Sequence, residues 1–319
     1  MRRILIIKPS SMGDIIHGLL VAEAIHAQLP DVSIDWVVRR EFAPLVDAAR
    51  VVDRSLIFER DGGLKSFLRL IREIRETRYD VVLDMQGLAR SGLLTFFAKS
   101  ARKIGRSDAR EGAGFFYREK TALSLPGQPM HAVKILSGFL DVLGLKPDLS
   151  QAIRFHPTTS KVDLPPVREG QRRVVVFPES RRAEKNWSGY ERLTREFLDA
   201  PGIGQVLWCG HVAYAPKRAI SDPGFINLTA KTGIDDLPGI LETADCVVSN
   251  DSGPMHLAAA QKRPLVALFG PTSPERFGPY PVQTSIQRII APEGGDLTKI
   301  DVSEVRRAVA EVLEAVEAS

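Results

Sequence analysis

Cysteine is almost missing from this chain. Only Cys209 and Cys246 occur, each inside an apolar run that reads as a strand, which argues against a disulfide framework or a thiolate metal site and fits a reducing compartment. The six histidines are scattered with none at metal-ligand spacing, and no Asp-x-Asp pair occurs. The usual carboxylate clamp for a divalent cation on a diphosphate is thus lacking, and neither a metal nor another cofactor is expected. Also absent are a three-glycine dinucleotide fingerprint, a Walker lysine motif and a serine nucleophile elbow. Long apolar runs are missing too. The stretch Ile4 to Ile7 is cut off by Lys8, too soon for a signal-peptide core, and no later run has the length of a membrane span. A soluble protein is expected.

What remains is ordinary globular material: 319 residues, 44% hydrophobic and 26% charged, enough for two domains. The net charge of +4 is unevenly spread. Arg60, Lys65, Arg69, Arg72, Arg75 and Arg78 are followed by Lys99, Arg102, Lys103, Arg106, Arg110, Arg118 and Lys120, with few acidic residues between them. The first half is therefore the half suited to an anionic partner. It has no interleaved aromatics and no recognised module, which argues against nucleic acid. Arg69, Arg72 and Arg75 oppose an apolar stripe of Leu64, Phe67, Leu68, Ile71 and Ile74 at helical spacing, so they read as a solvated helix face. The segment from Lys99 to Lys120 has no clean period and three glycines, and reads as containing a mobile loop.

Short apolar runs alternate with amphipathic helices. Strands are predicted at Arg3 to Lys8, Ser33 to Val38, Val52 to Phe58 and Asp80 to Asp84, with helices from Ile15, Leu64 and Ala89. The strands are continuously apolar, as in a sheet covered on both faces, and the alternation implies a parallel, doubly wound sheet. Residues 151–171 carry Pro157, Pro165 and Pro166 and read as a linker. Alternation then restarts, with strands at Val174 to Phe177, Gln205 to Cys209, Phe225 to Leu228, Cys246 to Ser249 and Pro264 to Phe269. The expected architecture is α/β: two Rossmann-like domains, 1–150 and 172–319, with a ligand cleft at facing strand ends.

Three strand-to-helix loops carry the candidate chemistry. The first is Lys8-Pro9-Ser10-Ser11-Met12-Gly13-Asp14. Gly13 allows a tight turn, and Asp14 falls in the first helical turn. Position alone leaves two roles open for Asp14: a carboxylate that caps the helix, or a general base at the cleft. The second loop, Asn250-Asp251-Ser252-Gly253-Pro254-Met255-His256, opens a helix whose free N–H groups suit a phosphate. The third runs from Glu179 to Ser188, where Ser180, Arg181 and Lys185 offer a hydroxyl and cations for a diphosphate leaving group. Trp187 reads as a packing anchor.

Taken in order, Lys8 to Asp14 with His17, Asp84-Met85-Gln86-Gly87, Lys185-x-Trp187 and Asp251 to Leu257 resemble the family 9 glycosyltransferases, the bacterial lipopolysaccharide heptosyltransferases of GT-B fold. The resemblance covers essentially the whole chain. The Ser-Ser-Met-Gly-Asp form and the Asp-x-Gln-Gly-Leu run look most like the branch that adds the first heptose to Kdo on lipid A. The resemblance implies a metal-independent, inverting transfer from an ADP-activated donor, with Asp14 as general base. It assigns Ser180, Arg181, Lys185, Asp251, Ser252, Gly253, Met255 and His256 to the donor. For an acidic acceptor it implies Ser10, Ser11, Gly13, Gln86, Arg60, Lys65, Arg110, Arg118 and Lys120. The implied partners are a sugar nucleotide and Kdo-lipid A at the cytoplasmic face of the inner membrane, met by a monomer. The chain departs from the family's pattern at His211 to Tyr214, where a glutamate often contacts the nucleoside, and at the glycine-rich Arg60-Asp61-Gly62-Gly63. The rival readings are another sugar nucleotide or the second heptose step, a hydrolase or epimerase of the same fold, and a non-catalytic nucleotide- or nucleic-acid-binding protein.

Overall fold

A computed structural model of the protein describes residues 1–122, 130–157, 162–180 and 182–318. The chain divides into two compact units, Met1–His156 and Pro157–Ser319.

In the first unit the strands are β1 (Arg3–Ile7), β2 (Ser33–Arg39), β3 (Arg54–Phe58), β4 (Val81–Asp84), β5 (Arg102–Gly105) and β6 (Glu119–Lys120), and the helices α1 (Met12–Gln28), α2 (Ala43–Ala48), α3 (Gly63–Glu76), α4 (Ala89–Phe97) and α5 (Ala132–Leu143). The strands form one sheet in the order β3-β2-β1-β4-β5-β6, and all its pairings are parallel. Ile4, Leu5, Ile6 and Ile7 are fully buried, because helices cover both sheet faces. Gly18 lets α1 lie close to the sheet: a Cβ there would stand 2.9 Å from the Trp36 ring.

The second unit repeats the plan. Its strands are β7 (Arg172–Phe177), β8 (Ile203–Trp208), β9 (Phe225–Asn227), β10 (Cys246–Asn250), β11 (Leu265–Leu268) and β12 (Gln287–Ile290), with helices α6 (Tyr190–Asp199), α7 (Leu237–Glu242), α8 (Gly253–Ala260), α9 (Pro274–Phe277) and α10 (Val302–Glu317). The sheet order is β12-β11-β10-β7-β8-β9. In each sheet the order reverses beside the unit's first strand, between β1 and β4 and between β7 and β10. Parallel sheets bind ligands beyond the carboxyl ends of strands at such switch points. Cys209 and Cys246 are free and buried, and burial pushes both thiols up to about 12.

One expectation fails, and one segment proves more regular than its pattern suggests. The segment from Lys99 to Lys120 carries regular structure: β5, a 3-10 turn at Ala113–Phe116, and β6. In β5 the Arg102 guanidinium forks onto Glu119 at 2.9 and 2.7 Å, and Lys103 lies over the Phe96 ring at 5.5 Å. The strand buries little apart from Ile104 and Gly105, so it shows no apolar run. On α3, the core takes Leu70, Ile71 and Ile74, which pack with Leu56, Phe58, Val82 and Leu94 while Phe67 lies partly buried. Leu64 and Leu68 are instead 72% and 51% exposed, because only the later turns of the helix reach that cluster.

The proline-rich stretch is anchored from both ends. Phe155 pairs with Ala49 in an isolated bridge, and the Pro165 carbonyl accepts from Arg173 at 2.7 Å and Gln205 at 3.1 Å.

Candidate functional site

In the first unit the loop after β1 ends at Ser11, the N-cap of α1. The Asp14 carboxylate accepts from the Ser11 backbone N–H at 3.1 Å and its hydroxyl at 2.8 Å. This is the capping role, and it fixes the carboxylate at the helix start. Nearly half of the Asp14 side chain (47%) stays open to solvent, and Lys8, only 3% exposed, brings its ammonium to 3.8 Å from Oδ1. Burial pulls Lys8 below the ordinary lysine range, and the Asp14 charge opposes that shift. Lys8 also donates to Gln86 Oε1 at 3.3 Å, joining the loop after β1 to the loop after β4.

Asp84 shapes that second loop from below. Its Oδ1 accepts from the backbone of Gln86 at 2.9 Å and of Gly87 at 3.0 Å, and Oδ2 from the Tyr117 hydroxyl at 2.8 Å. Burial pushes the Asp84 carboxyl above its usual range, while the Gly87 N–H and Tyr117 hydroxyl act against this. Gly87 has φ 71, a conformation that favours glycine, and its carbonyl accepts from Arg110 N–H at 2.9 Å. Arg106 and Asp108 form a two-bond pair nearby, at 2.8 and 2.6 Å.

In the second unit Asp251 follows β10. Its Oδ2 accepts from Lys185 Nζ and from the Thr272 hydroxyl, each at 2.5 Å. The Lys185 and Asp251 side chains are 13% and 5% exposed. Ser252 caps α8, leaving the first N–H groups of the helix without intrahelical partners. Pro254 suits this first turn, where its missing N–H costs nothing. Asn250 is fully buried; its Oδ1 accepts from Tyr190 at 2.9 Å, while Nδ2 has no hydrogen-bond partner among the described residues. Ser180 sits after β7, its N–H on Asn186 Oδ1 at 2.7 Å and its hydroxyl on the Arg182 carbonyl at 2.8 Å.

The structure gathers Ser10, Ser11, Gly13, Asp14 and Gln86 at the β1/β4 switch point, and Ser180, Lys185, Asp251, Ser252 and Gly253 at the β7/β10 switch point. His256 stands in the first turn of α8 and is nearly buried, and Met255 is fully buried, so Met255 offers a ligand only its backbone. Arg60, Lys65, Arg110 and Lys120 lie exposed at or just beyond carboxyl ends of strands of the first sheet. Arg118 does not join them: its guanidinium bonds the Ala101 carbonyl at 3.3 Å, at the opposite end of β5. Arg181 lies outside the described residues. Trp187 is a core residue, 5.1 Å from the Tyr190 ring, with its indole N–H on the Ile300 carbonyl. Sequence reasoning missed Thr272, the buried state of Lys8, the support from Asp84 and Tyr117, and Glu179, whose buried Oε2 has no hydrogen-bond partner among the described residues. Among the described residues no group of three His, Cys, Asp or Glu side chains gathers to hold a metal ion.

Comparison with known proteins bears on the family and the fold. The model of glycosyltransferase family 9 (heptosyltransferase) matches residues 67–304. The chain is 30% identical over 299 residues to lipopolysaccharide heptosyltransferase 1 of Escherichia coli (strain K12), covering 87% of this chain and 91% of that protein. It is 29% identical over 296 residues to the Pseudomonas aeruginosa enzyme of that name, covering 87% and 81%. Among solved structures it is similar to E. coli heptosyltransferase WaaC with ADP, at a TM-score of 0.79 and 26% identity over 97% of this chain and 99% of that one. The same protein with ADP-2-deoxy-2-fluoro heptose gives a TM-score of 0.76, at 26% identity and the same coverage. With two Rossmann-like units of GT-B type and a family match over most of its length, this chain belongs to glycosyltransferase family 9, the heptosyltransferases.

Proposed function

We propose that the protein transfers L-glycero-D-manno-heptose from ADP-heptose to Kdo of the lipopolysaccharide inner core, with inversion and without a metal. The observation that carries this reading is the pair of switch-point loops: an open carboxylate, Asp14, fixed at one, and a clamped carboxylate beside a cation and a helix start at the other. Asp14 takes the proton of the acceptor hydroxyl as its oxygen attacks the anomeric carbon, and the bond from that carbon to the diphosphate breaks as ADP leaves. Lys185 and the N–H groups at the start of α8 take up the leaving charge. Asp251, already neutralised by Lys185, accepts hydrogen bonds from the heptose. The donor assignment draws support from the neighbour that holds an ADP-heptose analogue. The acceptor assignment draws support from the excess of cations in the first unit.

The test is ADP release by the purified protein from ADP-heptose in the presence of EDTA, with and without de-acylated Kdo-lipid A. Release that requires the acceptor and survives chelation is the expected result. Release that proceeds equally without acceptor would instead make the protein a donor hydrolase.

A further inference from the structure

One charged group at the carboxyl edge of the second sheet has no work in the transfer chemistry. Glu179 lies two residues beyond the end of β7 and is half-buried. Its Oε2 is buried and has no hydrogen-bond partner among the described residues. An ionised carboxylate can only accept hydrogen bonds, and a buried oxygen left without a donor costs free energy. The other acidic groups of this edge are matched from within the unit. Asp251 takes Lys185 and Thr272, and Glu184 accepts from Arg182 at 2.7 Å. The mismatch at Glu179 points to a donor that arrives from outside.

The place of the carboxylate says which part of a ligand meets it. The Cys209 N–H donates to the Val176 carbonyl at 2.9 Å, so β7 and β8 stay paired to their carboxyl ends. Gly210 then follows at the mouth, and a Cβ built on it would stand 4.0 Å from Glu179 Oε2. With glycine there, no side chain grows against the carboxylate from that strand. Nearby polar groups are engaged with one another: the Thr229 hydroxyl accepts from the Tyr214 N–H at 3.0 Å and donates to Asn227 Oδ1 at 2.7 Å. The loops after β8 and β9 hold no acidic residue from Gly210 to Ser221 or from Leu228 to Ile234. Glu179 is therefore the acceptor this mouth offers.

In the sheet, β7 lies between β10 and β8. Neighbouring strands are about 4.8 Å apart, so the Glu179 mouth falls within about 10 Å of the helix start after β10. On the far side of β10, the loop after β11 is engaged through Thr272 in holding Asp251. A nucleotide with its diphosphate at the start of α8 therefore has the β8 side left for its nucleoside. A carboxylate repels phosphate oxygens and accepts from hydroxyls, and a ribose brings two adjacent hydroxyls.

We propose that Glu179 accepts hydrogen bonds from the ribose hydroxyls of the donor and makes the site selective for a ribonucleotide over a deoxyribonucleotide. The inference rests on the proposed function, whose donor is a nucleoside diphosphate sugar, and names the group that reads its ribose. A site built to bond a substrate hydroxyl rejects the analogue that lacks it, because the buried acceptor is left unpaired.

The test is calorimetric titration of the full chain with ADP, 2′-deoxy-ADP and inosine diphosphate. The parent protein binds ADP roughly thirtyfold more tightly than 2′-deoxy-ADP, the worth of a hydrogen bond to a charged group. Glu179→Ala weakens ADP by that same factor, leaves 2′-deoxy-ADP at its parent affinity and so abolishes the discrimination. Glu179→Gln keeps the size of the side chain and removes its charge, and its ratio falls to a few-fold. A purely structural role would weaken both nucleotides alike in Glu179→Ala, and that result overturns the proposal. So does a variant that keeps the parent ratio, or one that changes only the preference between ADP and inosine diphosphate, which would place the carboxylate at the base. Failure of the donor reading looks different: the parent protein would bind no ADP at all, and the ribose assignment would fall with it.

Discussion

Each unit places a carboxylate at the switch point of its sheet, Asp14 after the first strand and Asp251 after the fourth, and the two are treated in opposite ways. Asp14 follows the first strand of its sheet, accepts from the backbone N–H and hydroxyl of Ser11 with the Lys8 ammonium 3.8 Å away, and keeps 47% of its side chain open. Asp251 follows β10, is 5% exposed, and is gripped by an ammonium and a hydroxyl on one oxygen. A base must meet its proton donor and hold a lone pair ready for it. Asp14 satisfies that condition, while Asp251 is committed to orienting Lys185 and whatever lies beside it. The same strand order thus supports two kinds of work, and the difference lies in the partners that surround each carboxyl group.

The comparison breaks most decisively at Asp14. Asp14→Asn keeps the side-chain shape and the Ser11 contact while removing the base, so turnover falls by about a thousandfold. ADP affinity, measured by calorimetry, stays at the parent value. Asp251→Ala acts on stability as well as on binding. It strands Lys185 in a nearly dry site and lowers the unfolding free energy by about 3 kcal/mol, read as a fall in the urea midpoint. If Asp251→Ala unfolded no more easily than the parent, the clamp would have no energetic weight. Ser11→Ala sharpens the opposite side of the contrast: it removes the hydroxyl contact to Asp14 and costs about 1 kcal/mol, well below the Asp251 effect. The smallest change is a displacement along the pH axis. Lys8→Met removes the cation 3.8 Å from Asp14, so the carboxylate form loses support and the acid limb of kcat/KM moves to higher pH. An unmoved limb would mean that the Lys8 charge does not reach the base.

How far the sequence could be read depends on what each element hides. The central strands were legible because Ile4 to Ile7 and Val247-Val248 are buried on both sides and must be apolar throughout. Strands β5 and β6 were not legible, since Arg102, Lys103, Glu119 and Lys120 bury little of themselves and Arg102 is satisfied by Glu119 across the sheet. The helix α5 was missed as well; it follows residues outside those described and was not assigned from its own pattern. The first turns of α3 were misjudged because a helical period marks an apolar face and does not say where the core beneath it ends. Within the site, loops at carboxyl ends of strands could be recognised as loops, so Asp14 and Asp251 were both named. Their difference was invisible. Asp251 is clamped by Thr272, twenty-one residues further on, and by Lys185 from the loop after β7, and only the fold brings the three together.

The most direct test of the contrast is the anomeric configuration of the heptoside product, read by NMR after transfer from ADP-heptose to a de-acylated Kdo acceptor. With one open base and a clamped second carboxylate, the sugar is displaced once and the product is inverted relative to the donor. A product with retained configuration would require a second nucleophile, and would contradict the assignment of Asp14 as base and of Asp251 as a group committed to Lys185.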